Sequence, residues 1–147
     1  MKKIETYIDG AIGPFNPGGT ATYGVYILKP DGSTMEDWGV VGSGDLYSNN
    51  VAEYAALRIA LKLIMEKFDV MKHLVEFYSD SQLVVMQMKR KWDMKGGLYF
   101  DEAQRCLHLA TAFPNITYTW IPREKNFYAD ELSKRALREA GLTPFGG

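Results

Sequence analysis

Thiol chemistry is all but missing from this chain. Cys106 is the single cysteine, which excludes an internal disulfide and any zinc site built on thiolates. With Leu107 and Leu109 beside it, it reads as a small buried hydrophobe. Histidine is almost as scarce: His73 and His108 have no partner at metal-ligand spacing and read as structural or surface residues. Excess charge of one sign is absent too. The 17 Lys and Arg against 18 Asp and Glu leave a net charge of −1, so any hold on an anionic polymer must come from local patches. Nowhere do about 18 apolar residues run together, and Met1-Lys2-Lys3-Ile4-Glu5 enters a strand-like segment without an apolar leader. No membrane association and a cytoplasmic location are therefore expected.

What is present is the composition of one globular domain: 147 residues, 46% hydrophobic and 13% aromatic, enough to bury a core. Residues 3–9 and 22–28 are rich in Tyr, Ile and Val, and the Lys29-Pro30-Asp31-Gly32-Ser33 turn leads to a third strand-like run at 34–42. From Asn50 to about Lys67, Tyr54, Leu57, Leu61, Ile64 and Phe68 recur at helical spacing. Strand and helix then alternate: a strand at 74–79, a helix from Ser81, a helix near 98–111, a strand at 116–121, and a helix from Phe127 to Ala140 stopped by Gly141. A meander followed by β-α-β-α units predicts an α/β fold with a mixed sheet, antiparallel on one side and parallel on the other, because parallel neighbours require helical crossovers. The domain is expected over residues 1–141, with a flexible tail at 142–147.

Four acids stand at the edges of these elements. Asp9-Gly10 is expected to end the first strand, where the ordinary reading is a turn dipeptide. Glu53 stands three residues after Asn50, the spacing of a capping box, yet shares a helical face with Leu57, Ala60 and Ile64, which points its carboxylate along the core side. Asp80 follows an apolar strand and opens a helix, as an N-cap would. Asp130 falls in the first turn of the last helix, where negative charge suits the dipole. A local role explains each acid singly and leaves their convergence unexplained. In an open sheet, the carboxyl ends of parallel strands and the starts of the following helices face one crevice. No Lys or Arg lies within three residues of Asp9, Glu53 or Asp80, so the repulsion predicts divalent cations, with oxygen ligands favouring Mg²⁺ or Mn²⁺ over zinc.

With these residues in view, the chain resembles ribonuclease H of type 1. The matching segments are Tyr7-Ile8-Asp9-Gly10, Asn16-Pro17-Gly18-Gly19 with Tyr23-Gly24, Ser48-Asn49-Asn50-Val51-Ala52-Glu53-Tyr54, Tyr78-Ser79-Asp80-Ser81-Gln82-Leu83, and Asn126-Phe127-Tyr128-Ala129-Asp130-Glu131-Leu132, in the family's order. The resemblance implies a five-stranded mixed sheet flanked by helices, and an endonuclease that cuts the RNA strand of RNA/DNA hybrids, leaving 5′-phosphate and 3′-hydroxyl ends. It implies two Mg²⁺ ions, with Mn²⁺ as a substitute, held by Asp9, Glu53, Asp80 and Asp130. Substrate contacts carry over to Gly10, Asn16, Asn49, Asn50 and Gln82, short polar groups suited to groove edges and to the ribose 2′-hydroxyl. Lys89, Arg90, Lys91 and Trp92 form the densest basic segment, read either as a solvated helix end or as a grip on the DNA strand. A monomer is expected.

The chain departs from many relatives in the loop before the last helix. Pro122-Arg123-Glu124-Lys125-Asn126 contains no histidine, as in archaeal and some bacterial members, which leaves Arg123 and Glu124 as loop candidates and double-stranded RNA as an open second substrate. Other readings fit less well. A strand rather than a helix follows Gly10 and Gly18-Gly19, against a dinucleotide fingerprint. A module that only binds a polyanion gains nothing from clustered carboxylates. Alanine at position 11 departs from the Asp-x-Glu pair of proofreading-type exonucleases, and the length leaves no room for a transposase's additional DNA-binding domains.

Overall fold

Alternating Tyr, Ile and Val residues form three consecutive strands, β1 (Lys2–Gly13), β2 (Thr20–Leu28) and β3 (Thr34–Ser43), in the computed structural model, which describes residues 1–146. Two shorter strands follow, β4 (His73–Ser79) and β5 (Ile116–Trp120). The sheet order is β3-β2-β1-β4-β5, antiparallel through the meander and parallel from β1 outward. Helix α1 (Asn49–Lys67) carries the chain from β3 to β4, and α2 (Gln82–Met88) with α3 (Phe100–Ala110) carries it to β5. One 3₁₀ turn, Arg123–Lys125, precedes α4 (Phe127–Glu139).

The two sheet faces are covered by different helices. On one, Tyr54, Leu57, Leu61 and Ile64 of α1 bury against Ile4, Ile8, Val25, Ile27, Val75 and Phe77. Ala52, Ala55, Ala56 and Ala60 are fully buried beside them, and their small side chains let the helix lie close to the sheet. Gln87 ties the crossover together: its Oε1 accepts from the Tyr54 hydroxyl at 2.6 Å, and its Nε2 donates to the Asp93 carbonyl at 2.9 Å. On the other face α4 rests on β2 at Gly24, where any Cβ would stand 2.3 Å from the Ala129 carbonyl oxygen.

Several expected boundaries are corrected. β1 does not end at Asp9-Gly10 but runs to Gly13, because Gly10 to Gly13 stay paired with Tyr23 to Thr20 of β2. The parallel pairing with β4 stops at Tyr7 opposite Tyr78, so one edge of β1 is vacated from Ile8 onward. The cap of α1 is Ser48, whose Oγ accepts from the Val51 amide at 3.3 Å, and not Asn50. The cap of α2 is Ser81, accepting from Val84 N at 3.3 Å, which removes the capping role considered for Asp80. Gly141, at φ +78°, does end α4 as expected. The tail expected to be flexible lies against β1, where the Phe145 amide donates to the Ile12 carbonyl at 2.8 Å; Gly147 is outside the described residues.

Gly24→Ala is predicted to lower unfolding stability by about 1–3 kcal/mol, because the added methyl must displace α4 backbone. Urea denaturation measures it, and an unchanged midpoint would show that α4 does not rest on β2 at this residue.

Candidate active site

Topology brings the acids together. Two residues beyond the Tyr7–Tyr78 pair, on parallel strands, Asp9 stands level with Asp80 where β4 leaves the sheet. Asp80 is fixed through its backbone: Trp120 Nε1 donates to its carbonyl at 3.1 Å, and the preceding Ser79 Oγ accepts from Ser81 N at 3.0 Å. Glu53 reaches the vacated edge from the first turns of α1, accepting from Gly10 N through Oε1 at 3.1 Å. This approach requires glycine at position 10, where a Cβ would stand 2.3 Å from the Ala52 carbonyl carbon. One carboxylate oxygen from each of Asp9, Glu53 and Asp80 lies within 4.8 Å of the others.

Asp130 adjoins that trio, close enough to raise the Asp9 and Asp80 carboxyls, and carries a cation of its own. Its Oδ2 is 3.1 Å from Lys134 Nζ, one helical turn on in α4, so a cation accompanies the fourth acid. Ser133, on the same helix, donates to the Asp130 carbonyl at 2.9 Å and approaches Asp9 Oδ2 at 3.5 Å. Asn126, just before α4, is buried and donates through Nδ2 to the Ile8 carbonyl at 2.8 Å, pinning the loop to the β1 edge. Ser133, Lys134 and Asn126 were not among the predicted site residues. The first two sit three and four residues after Asp130, a spacing that helical periodicity alone brings to one face.

Asp9, Gly10, Asn16, Asn49, Glu53, Arg123, Asp130 and Lys134 line one groove of about 320 Å³. Asn16 has a structural duty there, its Oδ1 accepting from Asn49 N at 3.0 Å at the start of α1. Arg123 joins the groove lining, whereas Glu124 is exposed and does not. Asn50 and Gln82 are likewise outside the lining, Gln82 being exposed on the first turn of α2 just beyond Asp80. The basic segment is separate. Lys89 ends α2, Arg90 turns with φ +62°, and Arg90 and Trp92 line a different depression with Asp93, Met94, Gln104 and Leu107.

Burial and mutual repulsion dominate the electrostatics. Desolvation, then the charges of Glu53 and Asp80, holds the Asp9 carboxyl well above its ordinary value. Burial pushes Glu53 up to about 8, although hydrogen bonds from Asp9 and Gly10 and the charge of Arg123 oppose the rise. Asp80 is also raised by burial, with Arg123 acting against it. The donor set fits a hard divalent cation: three carboxylates converge, and Glu53 Oε2 is buried with no hydrogen-bond partner.

Comparison with known proteins identifies the family. The family described as reverse transcriptase-like matches residues 9–136, from the first acid of the site to beyond the last. Ribonuclease HI of Halobacterium salinarum is 33% identical over 139 residues, 94% of this chain and 66% of that protein. The crystal structure of RNase H1 from the same archaeon superposes with a TM-score of 0.81 at 33% identity, covering 93% of this chain and 98% of that one. This chain belongs to the type 1 ribonuclease H family. Its five-stranded mixed sheet and flanking helices are the fold of those neighbours. LC11-RNase H1, solved in complex with an RNA/DNA hybrid, is 35% identical with a TM-score of 0.80, covering 93% of this chain and 98% of that one. A bifunctional protein of Mycobacterium tuberculosis is 36% identical over 131 residues, 85% of this chain, and the chain spans 33% of that relative's length.

The raised carboxyls of this type 1 ribonuclease H predict a pH dependence of stability in chelator. Asp9 and Glu53 bind protons more tightly folded than unfolded, so their contribution is fully present below the unfolded carboxyl range and is lost as pH rises through about 8 for Glu53. The melting temperature in EDTA should therefore fall between about pH 5 and pH 8.5. Thermal melts across that range check it, and a rise over the same interval would contradict the buried, unpaired acids.

Proposed function

We propose that this protein is an endonuclease that hydrolyses the RNA strand of RNA/DNA hybrids, leaving 5′-phosphate and 3′-hydroxyl ends. The observation that carries the reading is the trio Asp9, Glu53 and Asp80, with their oxygens within 4.8 Å at the vacated edge of β1. The relative solved on an RNA/DNA hybrid supports the substrate class.

In this reading Asp9, Glu53 and Asp80 would hold divalent cations, and Asp130 would join them on parting from Lys134. Two Mg²⁺ ions there, or Mn²⁺ in their place, would supply a nucleophilic water at neutral pH and stabilise charge on the leaving 3′ oxygen. The rest falls to the chain itself. Glu53 and Asp9 share a hydrogen-bonded floor at Gly10 that fixes where their oxygens point. Arg123 and the freed Lys134 are placed for phosphate oxygens, while Asn16 and Asn49 offer short polar groups to sugar and base edges. Gly10 brings backbone close to the strand, and Asn50 and Gln82 flank the groove. Lys89, Arg90, Lys91 and Trp92 contact the DNA strand away from the groove. Glu124 acts only on product release. Double-stranded RNA carries the same 2′-hydroxyl and stays open as a second substrate, which the assay below decides. The protein works as a cytoplasmic monomer.

Labelled hybrid, double-stranded RNA and double-stranded DNA incubated with and without Mg²⁺ test this directly. Cleavage of the RNA strand only with metal is expected, and full activity in excess chelator would end the reading. Asp80→Asn should abolish cleavage while keeping hybrid binding, and should hold or raise stability in chelator by relieving repulsion. For wild type, metal at a hundred times its dissociation constant should raise stability by about 2.7 kcal/mol. Asp80→Asn should lose most of that gain, and turnover near the wild-type rate would remove Asp80 from the mechanism.

Replacing Lys89, Arg90 and Lys91 together with alanine should flatten the salt dependence of hybrid binding, by up to about 0.9 in logarithmic slope per lost phosphate contact. Turnover at saturating substrate should change little. An unchanged slope would make the segment a solvated surface.

A further inference from the structure

We propose that the C-terminal segment Thr143–Gly146 is a wall of the substrate groove, and that the Phe145 ring is a platform for a nucleotide of the bound duplex. The inference rests on the hybrid-cleavage reading above and adds a binding element to it.

Backbone contacts fix the segment in place. Leu142 N donates to Leu137 O at 3.0 Å, closing the end of α4, and three residues later Phe145 N donates to Ile12 O at 2.8 Å. That carbonyl belongs to the β1 edge that β4 has left. Gly13 allows the approach: a Cβ there would stand 1.9 Å from the Thr143 carbonyl oxygen. The tail thus continues the edge contacts made by Asn126 at Ile8 and Glu53 at Gly10.

Pro144, Phe145 and Gly146 line the same groove as Asp9, Glu53 and Asp130. The groove's other lining offers carboxylates, amides, cations and small apolar groups, and Phe145 is its only aromatic side chain among the described residues. It is 54% exposed although the backbone beneath it is tied down. An apolar ring held half in water beside a polar groove gains by covering a sugar or base. Every base has a π-face, so such a contact suits an enzyme that accepts many sequences. Trp92, the aromatic expected from sequence to pack on nucleic acid, lines a different depression.

Phe145→Ala and Phe145→Trp, compared with wild type in steady-state cleavage of a labelled hybrid, test the proposal. Phe145→Ala should raise KM roughly five- to tenfold with kcat nearly unchanged, and Phe145→Trp should restore KM. Hybrid binding measured by anisotropy should weaken by the same factor when Phe145→Ala is added to Asp80→Asn, with an unchanged thermal melt separating this from a folding defect. Equal KM and equal binding would overturn the proposal. So would higher activity in Phe145→Ala, which would make the tail an obstruction. If wild type cuts no hybrid yet the anisotropy difference stands, the reading of the reaction fails and the platform survives.

Discussion

A backbone edge left without a partner organises this protein. β4 accompanies β1 only as far as Tyr7, while β2 stays paired with β1 to Gly13. Main-chain groups beyond Tyr7 on the abandoned side must find other partners, since a buried, unpaired donor or acceptor costs about 1–3 kcal/mol. Three come from different parts of the chain: the Asn126 amide to Ile8 O, the Glu53 carboxylate to Gly10 N, and the Phe145 amide to Ile12 O. Satisfying one edge therefore draws the α4 loop, the start of α1 and the C-terminal segment to a single line. The carboxylates converge because the elements that carry them do.

That convergence opposes stability in the metal-free protein. Asp9 and Glu53 are buried, and their nearest charged neighbours include each other. The available cations are only partly committed. Arg123 lowers the cost for Glu53 and Asp80 from an exposed 3₁₀ turn, and Lys134 holds Asp130 from a half-exposed position where an ion pair is worth about 1 kcal/mol or less. A divalent cation would meet an already desolvated ligand set and cations free to turn to other anions. Repulsion in the folded state is thus latent affinity, of the kind that a site built from well-paired acids lacks.

Much of this was legible in sequence because its signals are local. Helical spacing of Tyr54, Leu57, Leu61 and Ile64 marked α1 and the face that Glu53 shares, and the apolar run before Asp80 marked the end of β4. What escaped depends on partners distant in the chain. The length of β1 is set by how long β2 and β4 each remain beside it, which no local pattern in residues 2–13 records. Ser and Asn cap helices almost equally well, so the spacing from Asn50 to Glu53 pointed to Asn50, whereas the cap is Ser48, whose Oγ accepts from Val51 N. Pro144 and the glycines after it have the composition of a loose end, and Gly13, far away in sequence, makes room for Thr143 and Pro144. Lys134 was within reach: one turn after Asp130 on a helix, it had to share that acid's face.

Helix α4 shows why fold and site cannot be tuned separately. It carries Asp130, Ser133 and Lys134 into the groove, and the same turns rest on β2, where the backbone of Ala129 and Ser133 leaves no room for a Cβ at Gly24. Gly24 pairs directly with Asp9 across the antiparallel ladder. The contact that seats the helix is thus adjacent to the acid it serves, and a shift of α4 by the width of one methyl group would move Asp130 relative to Asp9 by a similar amount. Glycine at that position keeps the helix close to β2, so that Asp130 stays beside the groove that Asp9 lines, where Lys134 is its ion-pair partner. The distance between the fourth acid and the other three is set by sheet packing together with the Asn126 contact at Ile8, while Arg123 in the same loop sets what charge approaches them.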